Sequence, residues 1–302
     1  RGVAQFPNAR LVSMSRKGLL LFLAAGVAWG MPYFFIKIAG EEFSTISIIF
    51  ARVMIGAAVL IPLAIYRKTL VKALKAWRWV LAFAVIEMII PWWLITEAER
   101  HIDSGLTGLL VATVPFFALP IAFIFLKDRS VKHPKTLMGL GLGFGGLILL
   151  VGIDSFTGHV EPLFVGFVIL AAIGYAIAPA IAAQKMRDIP SEGVIGLSMV
   201  MVAVVYAVPA AFTLPSDLAK GPSIEAWAAL LTLGVVCSAV AFVVFFALIK
   251  EIGSARATLI TYPNTAVAIL LGVVFAGETF TPGMAIGLPL VAVGSYFATK
   301  KH

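Results

Sequence analysis

Charge is scarce in this sequence of 302 residues. Asp, Glu, Lys and Arg make up only 13% of it, against about 25% in an average soluble domain. With 61% hydrophobic residues, that deficit excludes a water-soluble globule. It also excludes intrinsic disorder, which needs the reverse composition. Cysteine is nearly missing: Cys237 stands alone, so no internal disulfide and no multi-cysteine metal or redox centre can form. The four histidines, His101, His133, His159 and His302, fall outside the long apolar runs, which leaves no His-based triad or His-rich metal site within them. A phosphate-binding GxxxxGK[ST] loop is absent, so direct ATP hydrolysis is not expected. No ring of charges or carbonyl-filter signature points to a channel. An intramembrane enzyme is therefore disfavoured, and neither a cofactor nor a metal is expected.

What is present is apolar sequence in long blocks. A helix that crosses a bilayer needs about 20 apolar residues, and ten such blocks can be drawn, at 19–38, 44–66, 77–95, 105–126, 136–153, 163–183, 193–214, 224–249, 257–276 and 283–298. They are too long and too uniformly apolar for the alternating strands of a barrel. The fold class predicted is thus an all-α polytopic membrane protein. Residues 1–15 are set apart as a disordered N-terminal segment; 1–13 are polar, lack an apolar core and do not read as a signal peptide, and Met14 is a natural start.

The formal net charge of +8 acquires meaning by position. With ten spans, 19 of the 23 Lys and Arg residues fall on one side, among them Arg67, Lys68, Lys72, Lys75, Arg78, Lys127, Arg129, Lys185 and Lys250. The other side has Lys37, Arg100 and Lys220 against a majority of acids, including Glu41, Glu42, Glu97, Glu99, Asp103 and Glu278. Basic loops stay in the cytoplasm, so both termini are expected there. No basic stripe is left for nucleic acid.

The two halves repeat. Pro115 and Pro263, Pro134 and Pro282, Gly139 and Gly287, and Gly146 and Gly294 are each 148 positions apart, and Trp77 and Trp227 are 150 apart. Pro62 with Pro209 and Gly30 with Gly174 lie at similar offsets. Two units follow, 16–155 with helices one to five and 156–302 with helices six to ten. An odd number of helices per unit forces the second to enter from the opposite face. Such an inverted repeat is the architecture of many secondary transporters, whose substrate site lies near the midplane between the halves.

The run Ala25-Gly26-Val27-Ala28-Trp29-Gly30-Met31-Pro32-Tyr33-Phe34-Phe35-Ile36-Lys37 resembles the first-helix motif of the EamA family, in the drug/metabolite transporter (DMT) superfamily. Phe50-Ala51-Arg52 resembles its second-helix arginine, Pro115 and Pro263 its mid-span prolines, and Ala276-Gly277-Glu278 its acidic turn after the ninth helix. The corresponding turn of the first half departs, with Asp128 where Glu is usual. The resemblance implies a transporter of amino acids, other metabolites or drugs. In overall likeness the sequence is closest to YddG-type exporters of aromatic and other neutral amino acids in the bacterial inner membrane.

Ionisable groups inside a bilayer are costly and are candidates for function. Arg52 and Glu87 lie clearly within spans, in adjacent antiparallel helices. Two readings are open: they neutralise each other and tie the helices together, or one faces a cavity, Arg52 holding a carboxylate or Glu87 an ammonium or a proton. Lys37 reads as a snorkelling helix end, and Glu97 and Glu99 as a solvated rim. In the ninth span Thr258, Thr261, Tyr262, Pro263, Asn264 and Thr265 place polar groups and a helix breaker at mid-depth; Tyr262 and Asn264 are candidates to hold an amino or carboxyl group, or else polar glue between helices. Trp29 and Tyr33, four residues apart, share a helix face. With Trp92, Trp93 and Tyr175 they offer walls for a flat side chain, while ordinary packing or interfacial anchoring is the alternative. Trp77, Trp79 and Trp227 read as interfacial anchors, and Gly139, Gly141, Gly143, Gly145 and Gly146 as close helix packing. Pro32, Pro115, Pro179 and Pro263 are candidate break or gating points.

The function expected is export of small neutral solutes, amino acids foremost, by alternating access. Efflux of lipophilic cations with Glu87 as counter-charge is the alternative, and a receptor or scaffold leaves the inverted halves unexplained. The partners expected are a small-molecule substrate and membrane lipids, with a monomer as the simplest assembly.

Overall fold

The computed structural model describes residues 15–126, 134–156, 161–252, 257 and 260–299. Among these the chain is helical and without strands: α1 (Arg16–Gly40), α2 (Thr45–Tyr66), a short α3 (Leu70–Lys75), α4 (Trp77–Ala98), α5 (Ser104–Val111), α6 (Val114–Leu126), α7 (Pro134–Phe156), α8 (Pro162–Lys185), α9 (Ser191–Ala219), α10 (Ile224–Ile252), α11 (Thr261–Phe275) and α12 (Pro282–Thr299). Six of them, α1, α2, α4, α8, α9 and α10, are long and apolar enough to cross a membrane. Shorter apolar helices cover 104–118, 137–146, 261–275 and 282–294, where the remaining spans are expected. Asp128, Thr258, His133 and His159 lie outside the described residues.

Helix starts follow local chemistry. Ser15, Ser44 and Ser223 cap α1, α2 and α10 by accepting a backbone N–H three residues on, which satisfies a donor the helix leaves free. Pro134 and Pro282 open α7 and α12, where a missing N–H is harmless.

Both mid-span prolines lie near helix starts. The expected fourth span is two helices, because Pro115 has no N–H and its ring would clash with the carbonyl four residues back. The chain therefore leaves the helix at Ala112 and re-enters at Val114, with Pro115 in second place. Pro263 likewise stands third in α11, inside the first turn.

A second symmetric feature has no sequence signal. α4 and α10 each contain a π-helical turn, Val85–Ile89 and Val235–Val240, offset by the same 150 positions as Trp77 and Trp227. Extra residues of this kind shift the backbone ladder and re-aim side chains.

The helices interleave between halves. α1 packs on α10 and α11, while α8 packs on α4, α5 and α6. α2 pairs with its counterpart α9, and α7 with its counterpart α12. Each contact thus has its mate under exchange of the halves, as a two-repeat bundle requires.

Glycine allows the closest approaches. A Cβ on Gly26 would stand 2.6 Å from the Pro263 ring, and one on Gly174 2.5 Å from the Ile86 carbonyl oxygen. Between α7 and α12, a Gly294 Cβ would lie 2.6 Å from Gly143 Cα and 2.7 Å from the Gly139 oxygen. The reading of the α7 glycines as packing residues fails for Gly141 and Gly145, whose Cβ positions meet nothing within 4 Å. Gly294→Ala should therefore lower the thermal midpoint, with a cost of about 1–3 kcal/mol for overpacking, because the atoms it meets are backbone and cannot swing away. Gly141→Ala should leave the midpoint unchanged or raise it. Equal midpoints for the two variants, measured by unfolding in detergent, would refute this packing.

Candidate functional site

A cavity of about 100 Å³ lies between α1, α2, α4, α8, α10 and α11, near the ends of α5 and α6. At about 10–15 Å³ per water, it has room for several waters. It is lined by Trp29, Pro32, Tyr33, Arg52, Glu87, Trp92, Tyr175, Pro179 and Asn264, together with Ile36, Ile95, Thr96, Val111, Val114, Phe242, Phe245, Ile260 and Thr261. Trp29, Tyr33, Arg52, Glu87, Trp92, Tyr175 and Asn264, all candidates for the substrate site, are brought to this one chamber. Tyr262 does not line it, and its buried hydroxyl has no hydrogen-bond partner among the described residues. Pro115 and Pro263 also stay outside it; Pro263 packs on Gly26. Trp93 is 37% exposed and meets Phe167, on the outer surface of the bundle. Trp77, Trp79 and Trp227 are exposed, as anchors would be.

Arg52 and Glu87 do not pair: among the described residues no ion pair joins them. The reading that they neutralise each other is therefore overturned. Arg52 is held from two other sides. Its Nε donates to Ser238 Oγ at 2.6 Å, and its guanidinium lies 3.7 Å over the Trp92 ring. Ser238 in turn donates to the Leu233 carbonyl at 2.7 Å. Glu87 is buried, and its Oε2 has no hydrogen-bond partner among the described residues. The Asn264 Oδ1 is likewise buried and without a partner among them.

Both π-helical turns face this region. Glu87 belongs to the one in α4, Cys237 and Ser238 to the one in α10. Carbonyls in them take partners from other helices: Trp29 Nε1 donates to Cys237 O at 3.2 Å, and Tyr206 Oη to Ile89 O at 2.8 Å. Trp29 also meets Phe242 and Phe245 at ring distances of 5.0 and 4.6 Å, which builds an aromatic wall beside the charged groups.

One end of the chamber is bordered by an ion-paired turn. Ile36 and Ile95 give way there to Lys37 and Glu99. The left-handed backbone at Gly277 (φ +66°) ends α11 in a tight turn, with Glu278 N donating back to Gly272 O. Gly272, lacking a Cβ, leaves space for the Glu278 carboxylate. That carboxylate accepts from Lys37 Nζ at 2.7 Å, Ser104 N at 2.8 Å and Gly105 N at 3.0 Å. Three elements, α1, α5 and the α11–α12 turn, are thus held by one side chain that is 2% exposed. Burial alone would raise its pKa, but Lys37 and the two backbone N–H groups outweigh this and hold it below the usual carboxylate range. Lys37 is therefore no mere snorkelling end; its reach to a residue 241 positions away was invisible in local sequence.

Glu99 corrects the solvated-rim reading. It is 6% exposed, and among the described residues neither carboxylate oxygen has a hydrogen-bond partner. Glu97 keeps closer to expectation, with its side chain 29% exposed and accepting from Thr45 Oγ1 at 2.6 Å. At the opposite, basic end, Arg67 meets Glu192 at 3.3 Å. A smaller cavity there, bounded by Phe83, Ala182, Phe246 and Ile249, shares Glu87, Pro179, Phe242 and Phe245 with the main chamber.

Comparison with known proteins agrees with this architecture. The model of the EamA-like transporter family matches twice, over residues 16–152 and 163–300. The uncharacterized inner membrane transporter YedA of Escherichia coli (strain K12) is 24% identical over 284 residues, 91% of this chain and 90% of its own length. The uncharacterized transporter YoaV of Bacillus subtilis (strain 168) is 24% identical, covering 94% of this chain and 97% of YoaV. A solved crystal structure superposes with a TM-score of 0.66 at 18% identity, over 95% of this chain and 97% of that one, a likeness of fold. With both repeats matched, this integral membrane protein belongs to the EamA-like transporter family.

Proposed function

We propose that the protein is a secondary transporter that exports small neutral solutes, aromatic and other neutral amino acids foremost, by alternating access around the chamber between the repeats. The supporting observation is that Arg52 and Glu87 share one cavity without pairing. A guanidinium has five N–H donors, and Arg52 gives one to Ser238. The others suit a carboxylate, Glu87 suits an ammonium, and the Trp29, Phe242 and Phe245 wall suits an apolar side chain. A zwitterion brings both charges and neutralises the site. On this reading ten spans cross the membrane with both termini in the cytoplasm, and each repeat, 16–155 and 156–302, supplies one face of the site. The Glu278 latch then closes the outer face, and the smaller cavity lies on the cytoplasmic side.

Efflux of lipophilic cations is the second reading, carried by Glu87 beside the aromatic wall. Arg52 in the same chamber opposes it. Proteoliposomes loaded with Thr, Met or Phe should show saturable, mutually competitive flux of all three. Flux of a lipophilic cationic dye with no amino-acid flux would overturn the proposal and leave the second reading standing.

A further inference from the structure

Glu99 takes no part in the site as described, yet it is the most exceptional acid at the Glu278 end of the chamber. It follows α4 one turn beyond Ile95 and Thr96, which line the chamber, so it stands in the roof. Both carboxylate oxygens are buried without a partner among the described residues, although Lys37 and the N–H groups of Ser104 and Gly105 are close by and given to Glu278. A buried carboxylate stripped of hydrogen bonds is far more costly than the neutral acid.

We propose that Glu99 is a proton-binding site that governs the outer latch: closing the outer face buries it as the neutral acid, and opening exposes it to water, where it releases the proton as a carboxylate. This goes beyond the transport assignment but rests on its claim that the outer face opens. The O–H bond alone breaks, and water takes the proton.

The surrounding charges bear on the sign. Lys37 of α1, Arg52 of α2 and Glu278 act on Glu99 from other elements, and Tyr33 of α1 and Tyr175 of α8 lie within electrostatic reach. Glu97, Arg100, His101 and Asp103 flank it in the chain. Burial pushes its carboxyl well above the usual range, Glu278 adds to this, and Lys37 and Arg52 oppose it. A group whose pKa is raised in the closed state favours closure fully below its ordinary pKa, about 4.3. That preference fades as pH rises to the raised value. Glu278 runs the other way. Its pKa is lowered by closure, so its contribution is present above the ordinary carboxylate range and is lost only on acidification below it. Between pH 5.5 and 7.5 (about one to three units above that ordinary value) Glu278 stays charged, and the slope belongs to Glu99.

The test reads opening by thiol labelling. Ile36, buried beside Lys37 on the chamber wall, is replaced by cysteine in a Cys237→Ala background. His101→Gln and His159→Gln are added so that no imidazole remains on the outer side. An impermeant thiol reagent is applied from outside at both pH values. The rate is divided by that of Glu41→Cys, which is exposed, to cancel the intrinsic thiolate effect. With Glu99 present this ratio should rise several-fold from pH 5.5 to 7.5, the ceiling being about tenfold per pH unit for one proton. Glu99→Gln, a neutral mimic of the acid, should fold, label slowly at both pH values and show no rise; Glu99→Asp should restore the slope. An undiminished slope in Glu99→Gln, or failure of that variant to fold, overturns the proposal. A cysteine at 36 that never reacts from outside, with or without Glu99, instead refutes outer opening and the transport cycle with it.

Discussion

Arg52→Met is expected to weaken binding of a neutral amino acid by about 10- to 150-fold while leaving the thermal midpoint of the ligand-free protein within a few degrees of native. The first figure follows from the loss of hydrogen bonds to a charged group, about 1.5–3 kcal/mol, at about 1.4 kcal/mol per tenfold. The second follows from what the arginine leaves behind. Ser238 keeps its own acceptor, the Leu233 carbonyl, so no buried donor is orphaned. Methionine fills the space against Trp92 and keeps a sulfur–aromatic contact. Removing an unpaired buried cation also relieves its desolvation, which offsets the lost contact with the ring, about 2 kcal/mol for a desolvated cation–π pair. Ligand-induced thermal stabilisation checks the split, since a solute that binds the native state raises the midpoint. Native protein should be stabilised by the amino acid and much less by the amino alcohol that lacks the carboxylate. Arg52→Met should no longer distinguish the two. Arg52→Lys should fall between, because an ammonium cannot satisfy Ser238 and a carboxylate together in the fork geometry of a guanidinium. A variant that loses stability but keeps the discrimination would make Arg52 a strut between α2 and α10 and nothing more.

The parts of this site that could be read beforehand are those set by local chemistry. Arg52 and Glu87 stood out because a bilayer penalises charge, and Trp29 and Tyr33 because residues four apart share a helical face. The structure adds that all four meet at one cavity. The repeat spacing likewise pointed to two related halves, and the family model matches each of them. What stayed hidden depends on contacts across the repeats. Glu278 finds Ser104 and Lys37 at separations of 174 and 241 residues, and no local pattern announces such a partner. Glu99 sits in a loop between apolar runs, where an acid ordinarily reaches water; its burial, to 6% exposure, comes from tertiary packing that no local pattern announces. The π-helical turns are silent for a different reason: one additional residue in a uniformly apolar run leaves the periodicity unreadable.

Glu278→Ala is expected to release the outer face. In the closed state it would leave Ser104 N and Gly105 N without their acceptor, and Lys37 with Asp103 at 3.8 Å as its remaining ion-pair partner. Removing one member of a buried ion pair costs about 3–5 kcal/mol. The lower end, about 3 kcal/mol, applies because the Lys37 side chain keeps 30% exposure and so retains some water. In the open state all these groups are hydrated and the loss is small. The full difference therefore falls on the closed–open equilibrium, about two orders of magnitude at about 1.4 kcal/mol per tenfold. Labelling of Ile36→Cys from outside should accelerate by that order, and uptake from the cytoplasmic side should fall because the inward-facing state is depopulated. Glu278→Gln should be intermediate: its carbonyl can still accept from one backbone N–H, but its amide turns a donor toward the other. Lys37→Met should open the face less than Glu278→Ala, since the two backbone donors keep their carboxylate. That ordering is the discriminating result. A latch made of Coulomb attraction alone would give Lys37→Met and Glu278→Ala the same effect, whereas a carboxylate that also caps the start of α5 makes the glutamate the costlier loss.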